Sequence, residues 1–224
     1  MSETTVTNTN TKTKKQMSTK ARFTTRYIAV TAVLSAVAFV LMFFDLSVPF
    51  MPSFIKFDIS DLPEVIGSFA MGPGCGVLIC LIKNLLHLTR TTTMGVGELS
   101  NFILGVAFVL PAGFIYKFKK TKKGALLASI VGMVAMGAVS IASNYFLVYP
   151  FYLSFFHMQM DDMLGAYNFV LSDFFHSKLQ VKNLLTCLVA FNAPFTMLKG
   201  LASVLITWAI YKPLSPILKG RDNR

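Results

Sequence analysis

A chain of 224 residues that is 54% hydrophobic and only 14% charged, with a mean hydropathy of +0.60, lacks the make-up of a soluble domain. Its net charge of +11 comes from basic residues gathered at the N-terminus, at 117–123 and after Tyr211, with long apolar stretches between them. Basic flanks around apolar runs fit membrane topology and anionic headgroups, so the charge gives no reason to expect nucleic-acid binding.

Residues 1–22, rich in Thr, Asn and Lys, read as a disordered basic cytoplasmic tail. The apolar run from Tyr27 to Phe44 follows Lys20, Arg22 and Arg26. It is long and no small-residue cleavage site follows, so it is a retained helix rather than a signal peptide. Asp45 to Asp58 carries two prolines and several aromatics, which predicts an ordered apolar loop. Ser60 or Asp61 is placed to cap a helix with Pro63 in its first turn, and Gly72-Pro73-Gly74 ends it. Further apolar stretches lie at 75–89, 98–116 and 124–149, the last ending before Pro150. Residues 151–182 predict a long extracellular loop with one or two short interfacial helices. The last span, 184–211, is interrupted by Pro194, and a basic cytoplasmic tail occupies 214–224.

The fold class expected is therefore an all-α integral membrane protein with six transmembrane helices and both termini cytoplasmic, its membrane domain at 23–213. The count rests on charge. With six crossings the inner segments hold six basic residues before Tyr27, five at 117–123 and four after Tyr211, against four in the outer loops. A single crossing over 61–89 puts the 117–123 cluster outside. The span at 61–72 is short for a bilayer core of ~30 Å.

Polar groups inside membrane helices are costly and usually functional. Lys83, Asn84 and His87 lie together in one apolar run. Glu98 and Asn101 are three apart at the start of the next, and Asn144 sits near the outer end of another. Asn192, Thr196 and Lys199 share one stripe of the last helix. The expected depths coincide, which predicts an outward-opening polar pocket. Leu46, Val48 and Phe50 of the proline-stiffened loop are its expected lid. Asn amides and a lysine suit a flat ligand whose edge carries carbonyls and ring nitrogens. Ala32 and Ala36 form a small-xxx-small pair that fits either close packing inside the chain or docking of another helix.

No phosphate loop, zinc motif or nucleophile elbow is present, and His87, His157 and His176 show no ligand spacing. No catalytic residue, metal or cofactor is expected. Cys75, Cys80 and Cys187 read as small packing residues, and Asp161-Asp162 as a solvated loop pair. A chain without nucleotide chemistry or paired intramembrane carboxylates needs a partner to drive uphill transport.

The stretches Phe54 to Pro63, Gly72-Pro73, Leu81 to His87 and Gly95 to Phe102, taken in order, resemble the riboflavin-specific substrate-binding component of energy-coupling factor (ECF) transporters. The resemblance covers about 27–213. It implies capture of riboflavin at the outer face, and partnership with a transmembrane coupling protein and two cytoplasmic ATPases. It also implies a docking role for Ala32 and Ala36. It assigns Asn144 to the ligand, together with a pair four positions long that reads Thr196-Met197-Leu198-Lys199 here. The family has asparagine where this chain has Thr196. Threonine keeps one donor and one acceptor, Asn192 lies one turn earlier, and the departure leaves room for another heterocycle such as FMN or a modified-base precursor. A membrane-embedded enzyme using Glu98 and His87 as acid and base is the rival from another class.

Overall fold

The first apolar run winds into α1, Thr25–Met42, and its burial alternates as a one-sided helix requires: Thr31, Ser35 and Ala38 face inward, Val33, Val37 and Val40 outward. The structure, a computed structural model, describes residues 25–52, 55–155, 157, 159–176 and 180–218. The tail expected at 1–22 lies outside them. The loop after α1, expected to be ordered, contains a short strand pair that was not expected from the sequence. Leu46–Ser47 (β1) pairs antiparallel with Lys56–Phe57 (β2), and the base of this hairpin is closed by Lys56 and Asp45 at 2.5 Å.

Helices α2, Asp61–Met71, and α3, Pro73–His87, form a tight hairpin about Gly72. Gly72 sits at φ +99°, a conformation other residues adopt only with strain, and its N–H donates to Ser68 O at 2.9 Å. The expected cap of α2 is not made. Ser60 occupies the N-cap position without a side-chain cap bond, because its hydroxyl is used elsewhere. A 3₁₀ turn, Leu88–Arg90, leads to α4, Val96–Phe118. Then α5 runs from Lys122 to Phe155, its start capped by Thr121, which accepts from Gly124 N at 3.0 Å. One helix, α6, Met160–Asp173, lies in the segment after α5. Asp162 is not merely solvated there: it accepts from Gln159 N and closes a capping box. The last helix, α7, comprises Leu184–Cys187, a π turn at Leu188–Asn192 and Ala193–Leu218. It thus extends into the tail expected at 214–224, of which 219–224 lie outside the described residues.

Neither Pro150 nor Pro194 breaks its helix, contrary to the sequence expectation. Each follows a π turn, at Asn144–Val148 and at Leu188–Asn192. A proline removes one N–H and collides with the carbonyl four residues back. Those carbonyls belong to Phe146 and Ala190, both inside the π turns, where the widened backbone moves them aside.

Among the described residues four helices are long and apolar enough to cross a bilayer: α1, α4, α5 and α7. With 11 and 15 residues, α2 and α3 reach only about 16 and 22 Å, against a ~30 Å core. They are packed on α4, and α2 also meets α7. The main core joins Val65 and Phe69 of α2 with Phe108, Val109 and Tyr116 of α4, and with Val204 and Tyr211 of α7. The Tyr116 and Tyr211 hydroxyls meet at 3.0 Å, which gives two buried phenols a partner. Outward, Val134, Leu205 and Phe146 are exposed, as lipid-facing side chains are in a membrane protein.

Close approach of α4 to the α2–α3 hairpin depends on Gly105. A Cβ there would lie 2.5 Å from Cys80 Sγ and 2.7 Å from Glu64 Oε2. Gly105→Ala is therefore expected to destabilise the protein by about 1–3 kcal/mol. The readout is the melting temperature in detergent, and an unchanged value would show that α4 can retreat freely.

Candidate functional site

A cavity of about 520 Å³ opens between α3, α4, α5, α7 and the β1–β2 hairpin. Its wall brings together Glu98 and Asn101 of α4, Asn144 of α5, and Asn192, Thr196 and Lys199 of α7. These six were expected from their separate stripes, and the helices carry them to one place. Apolar surface comes from Met136, Leu104, Val148 and Phe195, and aromatic hydroxyls from Tyr149 and Tyr152.

The π turns take part directly. Asn144 opens the first and Asn192 closes the second. Such π turns are rare and frequently lie at functional sites, and here both carry an asparagine of the cavity wall. The signal available in the sequence was a proline inside an apolar run that was otherwise long enough to be one helix.

Each amide is partly committed. Asn144 Nδ2 donates back to Ser140 O at 2.8 Å, which leaves its Oδ1 as an acceptor with no protein donor among the described residues. Asn101 Oδ1 accepts from Lys199 Nζ at 2.9 Å, which leaves its Nδ2 group as a donor. Both ends of Asn192 are in use: its Oδ1 accepts from Tyr167 at 2.6 Å and one Nδ2–H donates to the Tyr149 hydroxyl at 3.4 Å, while the two phenols also bond each other. Asn192 thus ties α6 to the end of the second π turn. It has less freedom to stand in for the absent asparagine at Thr196 than its spacing implied.

Lys83 and Asn84 stand behind the cavity rather than in its wall. Lys83 is fully buried, donates to Ser60 Oγ at 2.7 Å and Asp61 Oδ1 at 3.1 Å, and is ion-paired with Glu64 at 2.5 Å. Asn84 donates to Cys80 O at 2.8 Å. Sequence spacing put Lys83 on the pocket because its partners, Ser60 and the α2 acids Asp61 and Glu64, are far from it in the chain and meet it only once the hairpin folds. The lid differs as well. Leu46 is 63% exposed, and Val48 and Phe50 are also outside the wall. The hairpin reaches the cavity through Asp45, Ile55, Lys56 and Asp58 instead. Phe50 packs at 6.0 Å from Phe174 and 6.3 Å from Phe195, so it braces a cavity residue from outside.

Asp58 is the residue that sequence patterns missed. Its Oδ2 accepts from Lys199 at 3.0 Å, and its Oδ1 accepts from Ser60 N and Oγ at 2.9 and 2.5 Å. Burial alone would raise its pKa, but the Lys199 and Lys83 ammoniums and the Ser60 bonds outweigh it and hold the carboxyl at about 2.

At the mouth, His87 Nδ1 and Glu98 Oε1 are 2.8 Å apart, and Glu98 Oε2 also accepts from Thr91 at 2.9 Å and Thr93 at 3.4 Å. The acid and base of the enzyme rival do meet, but the carboxylate is an anchor for the turn that precedes α4. Arg90 lies 4.7 Å over the Phe43 ring beside them. Cys75, Cys80 and Cys187 are free and buried, as packing residues are. Among the described residues no group of three metal-ligating side chains forms. Ala32 and Ala36 both lie on the exposed face of α1.

Comparison with known proteins agrees with this architecture. A family model for the substrate-specific component of ECF transporters matches residues 26–211. A riboflavin transporter, RibU, of Staphylococcus aureus is 31% identical over 188 residues, covering 84% of this chain and 89% of that protein. A riboflavin transporter, FmnP, of Bacillus subtilis is 32% identical over 192 residues, covering 84% and 92%. A solved S component of a bacterial ECF transporter superposes with a TM-score of 0.66 at 28% identity, covering 88% of this chain and 99% of that one. The chain is thus a multi-pass membrane transport protein, not an enzyme, and belongs to the substrate-specific components of ECF transporters.

Proposed function

We propose that this protein captures riboflavin at the outer face of the cell membrane and hands it to an ATP-hydrolysing coupling module. The observation that carries the ligand is the donor and acceptor pattern of one cavity: Asn144 Oδ1 accepts, while Asn101 Nδ2 and the remaining Lys199 N–H donate. The pyrimidine edge of an isoalloxazine ring alternates carbonyl, N–H and carbonyl and asks for that set. Apolar walls at Met136, Leu104 and Phe195 suit the rest of the flat tricycle. The names of the Staphylococcus and Bacillus relatives favour the same ligand.

In this reading α1, α2, α3, α4, α5 and α7 make six crossings with both termini cytoplasmic, and the short α2–α3 hairpin is sheltered by α4 and α7. The distribution of basic residues supports that orientation. The exposed Ala32 and Ala36 are the docking face for the transmembrane coupling protein, whose own partners are two ATPases.

Titration of riboflavin into purified protein tests the ligand. Flavin fluorescence is expected to be quenched with one equivalent bound per chain, and folded protein that leaves it unquenched rejects riboflavin. Asn144→Ala is expected to weaken binding by about 1–3 kcal/mol, the cost of one lost buried polar contact. A ligand panel that includes FMN and flavin-free heterocycles reads the specificity at Thr196.

A further inference from the structure

Lys199 has three N–H donors. One goes to Asp58 Oδ2 at 3.0 Å and one to Asn101 Oδ1 at 2.9 Å. Asp61 Oδ2, at 3.5 Å, is a charge neighbour of the same ammonium. One donor therefore remains for a guest in the cavity that Lys199 lines. Which donor remains, and where it points, depends on what holds the other two. An ammonium on a four-carbon stem has no fixed direction of its own.

Asp58 is built to provide that direction. It is 6% exposed, and both of its oxygens are used inside the protein. Its Oδ1 is fixed by Ser60 N and Oγ, and Ser60 Oγ is in turn held by Lys83 at 2.7 Å. Lys83 is locked between Asp61 and Glu64 of α2. The chain of contacts therefore runs from a fully buried lysine to the one in the cavity wall. Asp58 directly follows β2, and Lys199 lies 141 positions later on α7, so the pair also clamps the β1–β2 hairpin against the last helix.

We infer that Asp58 is a positioning residue for ligand capture, holding the Lys199 ammonium so that one N–H faces the cavity. The inference rests on the riboflavin reading above, in which Lys199 donates to the guest. It makes Asp58 matter only through Lys199.

The test is a double-mutant cycle of wild type, Asp58→Asn, Lys199→Gln and the double variant, read by riboflavin titration and by melting without ligand. Asp58→Asn is expected to bind about 10- to 100-fold more weakly. The double variant is expected to bind no more weakly than Lys199→Gln alone, and Asp58→Glu to regain part of the loss. An Asp58→Asn protein with wild-type affinity overturns the inference, as does a double variant in which the two losses add. Should Asp58→Asn not fold, the double variant, which removes one charge of each sign, is compared directly with Lys199→Gln and decides by the same rule. Failure of folded wild type to bind riboflavin rejects the ligand reading alone. The ligand-free melting cycle then still decides: a double variant more stable than the sum of the single losses supports the pair, and strict additivity overturns it.

Discussion

Lys83→Met is expected to destabilise the protein by about 3–5 kcal/mol, the cost of removing one partner from a buried ion network. Lys83, Asp61 and Glu64 are each completely buried, and Lys83 is the ammonium nearest to both acids, at 3.1 and 2.5 Å. Methionine fills a similar volume, so the loss is electrostatic and not a cavity. Two carboxylates would be left facing each other in a low-dielectric interior, with Lys199 at 3.5 Å from one of them as the remaining cation. The measurement is thermal unfolding in detergent without ligand. Lys83→Met/Glu64→Gln removes one charge of each sign and is expected to recover much of the loss. A single variant that melts with wild type would mean that the network carries no net stability.

The second large effect is expected in transport and not in binding. Ala36→Trp, or Ala32→Trp, places a large ring on the exposed face of α1, away from Thr31, Ser35 and Ala38, which pack inward. The cavity lies on other elements apart from Met42 at the end of α1. Riboflavin affinity of the purified variant is expected to stay within about twofold of wild type. Uptake by cells is expected to fall at least tenfold, since a loss of about 1.4 kcal/mol in docking suffices for that. Normal uptake would place the coupling protein on another face. Loss of binding as well would mean that α1 shapes the cavity.

Several residues of the candidate site were legible without coordinates because the bilayer makes intramembrane polarity expensive. Asn101, Asn144, Thr196 and Lys199 stand out against apolar neighbours, and the structure gathers all four in one wall. The same rule misdirected Lys83. Its burial is compensated by acids on α2 and by Ser60, and a polar residue that is paired looks identical in sequence to one that is waiting for a ligand. Asp58 was hidden for the converse reason: it lies in a loop, where a carboxylate is ordinary, and its meaning comes from Lys199 on the far side of the fold. The lid residues followed hydrophobicity, whereas hairpin pairing of Leu46 with Phe57 turned other side chains toward the cavity.

The sequence alone determined that this chain lives in a membrane, where its helices run and which polar groups had to be sheltered, because hydropathy and charge distribution act locally and need no partner. Tertiary structure decided which polar groups neutralise one another and which are left facing the cavity, because pairing depends on distances between residues far apart in the chain. It also decided that the helices continue past Pro150 and Pro194, since a π turn before each proline widens the backbone to take the ring.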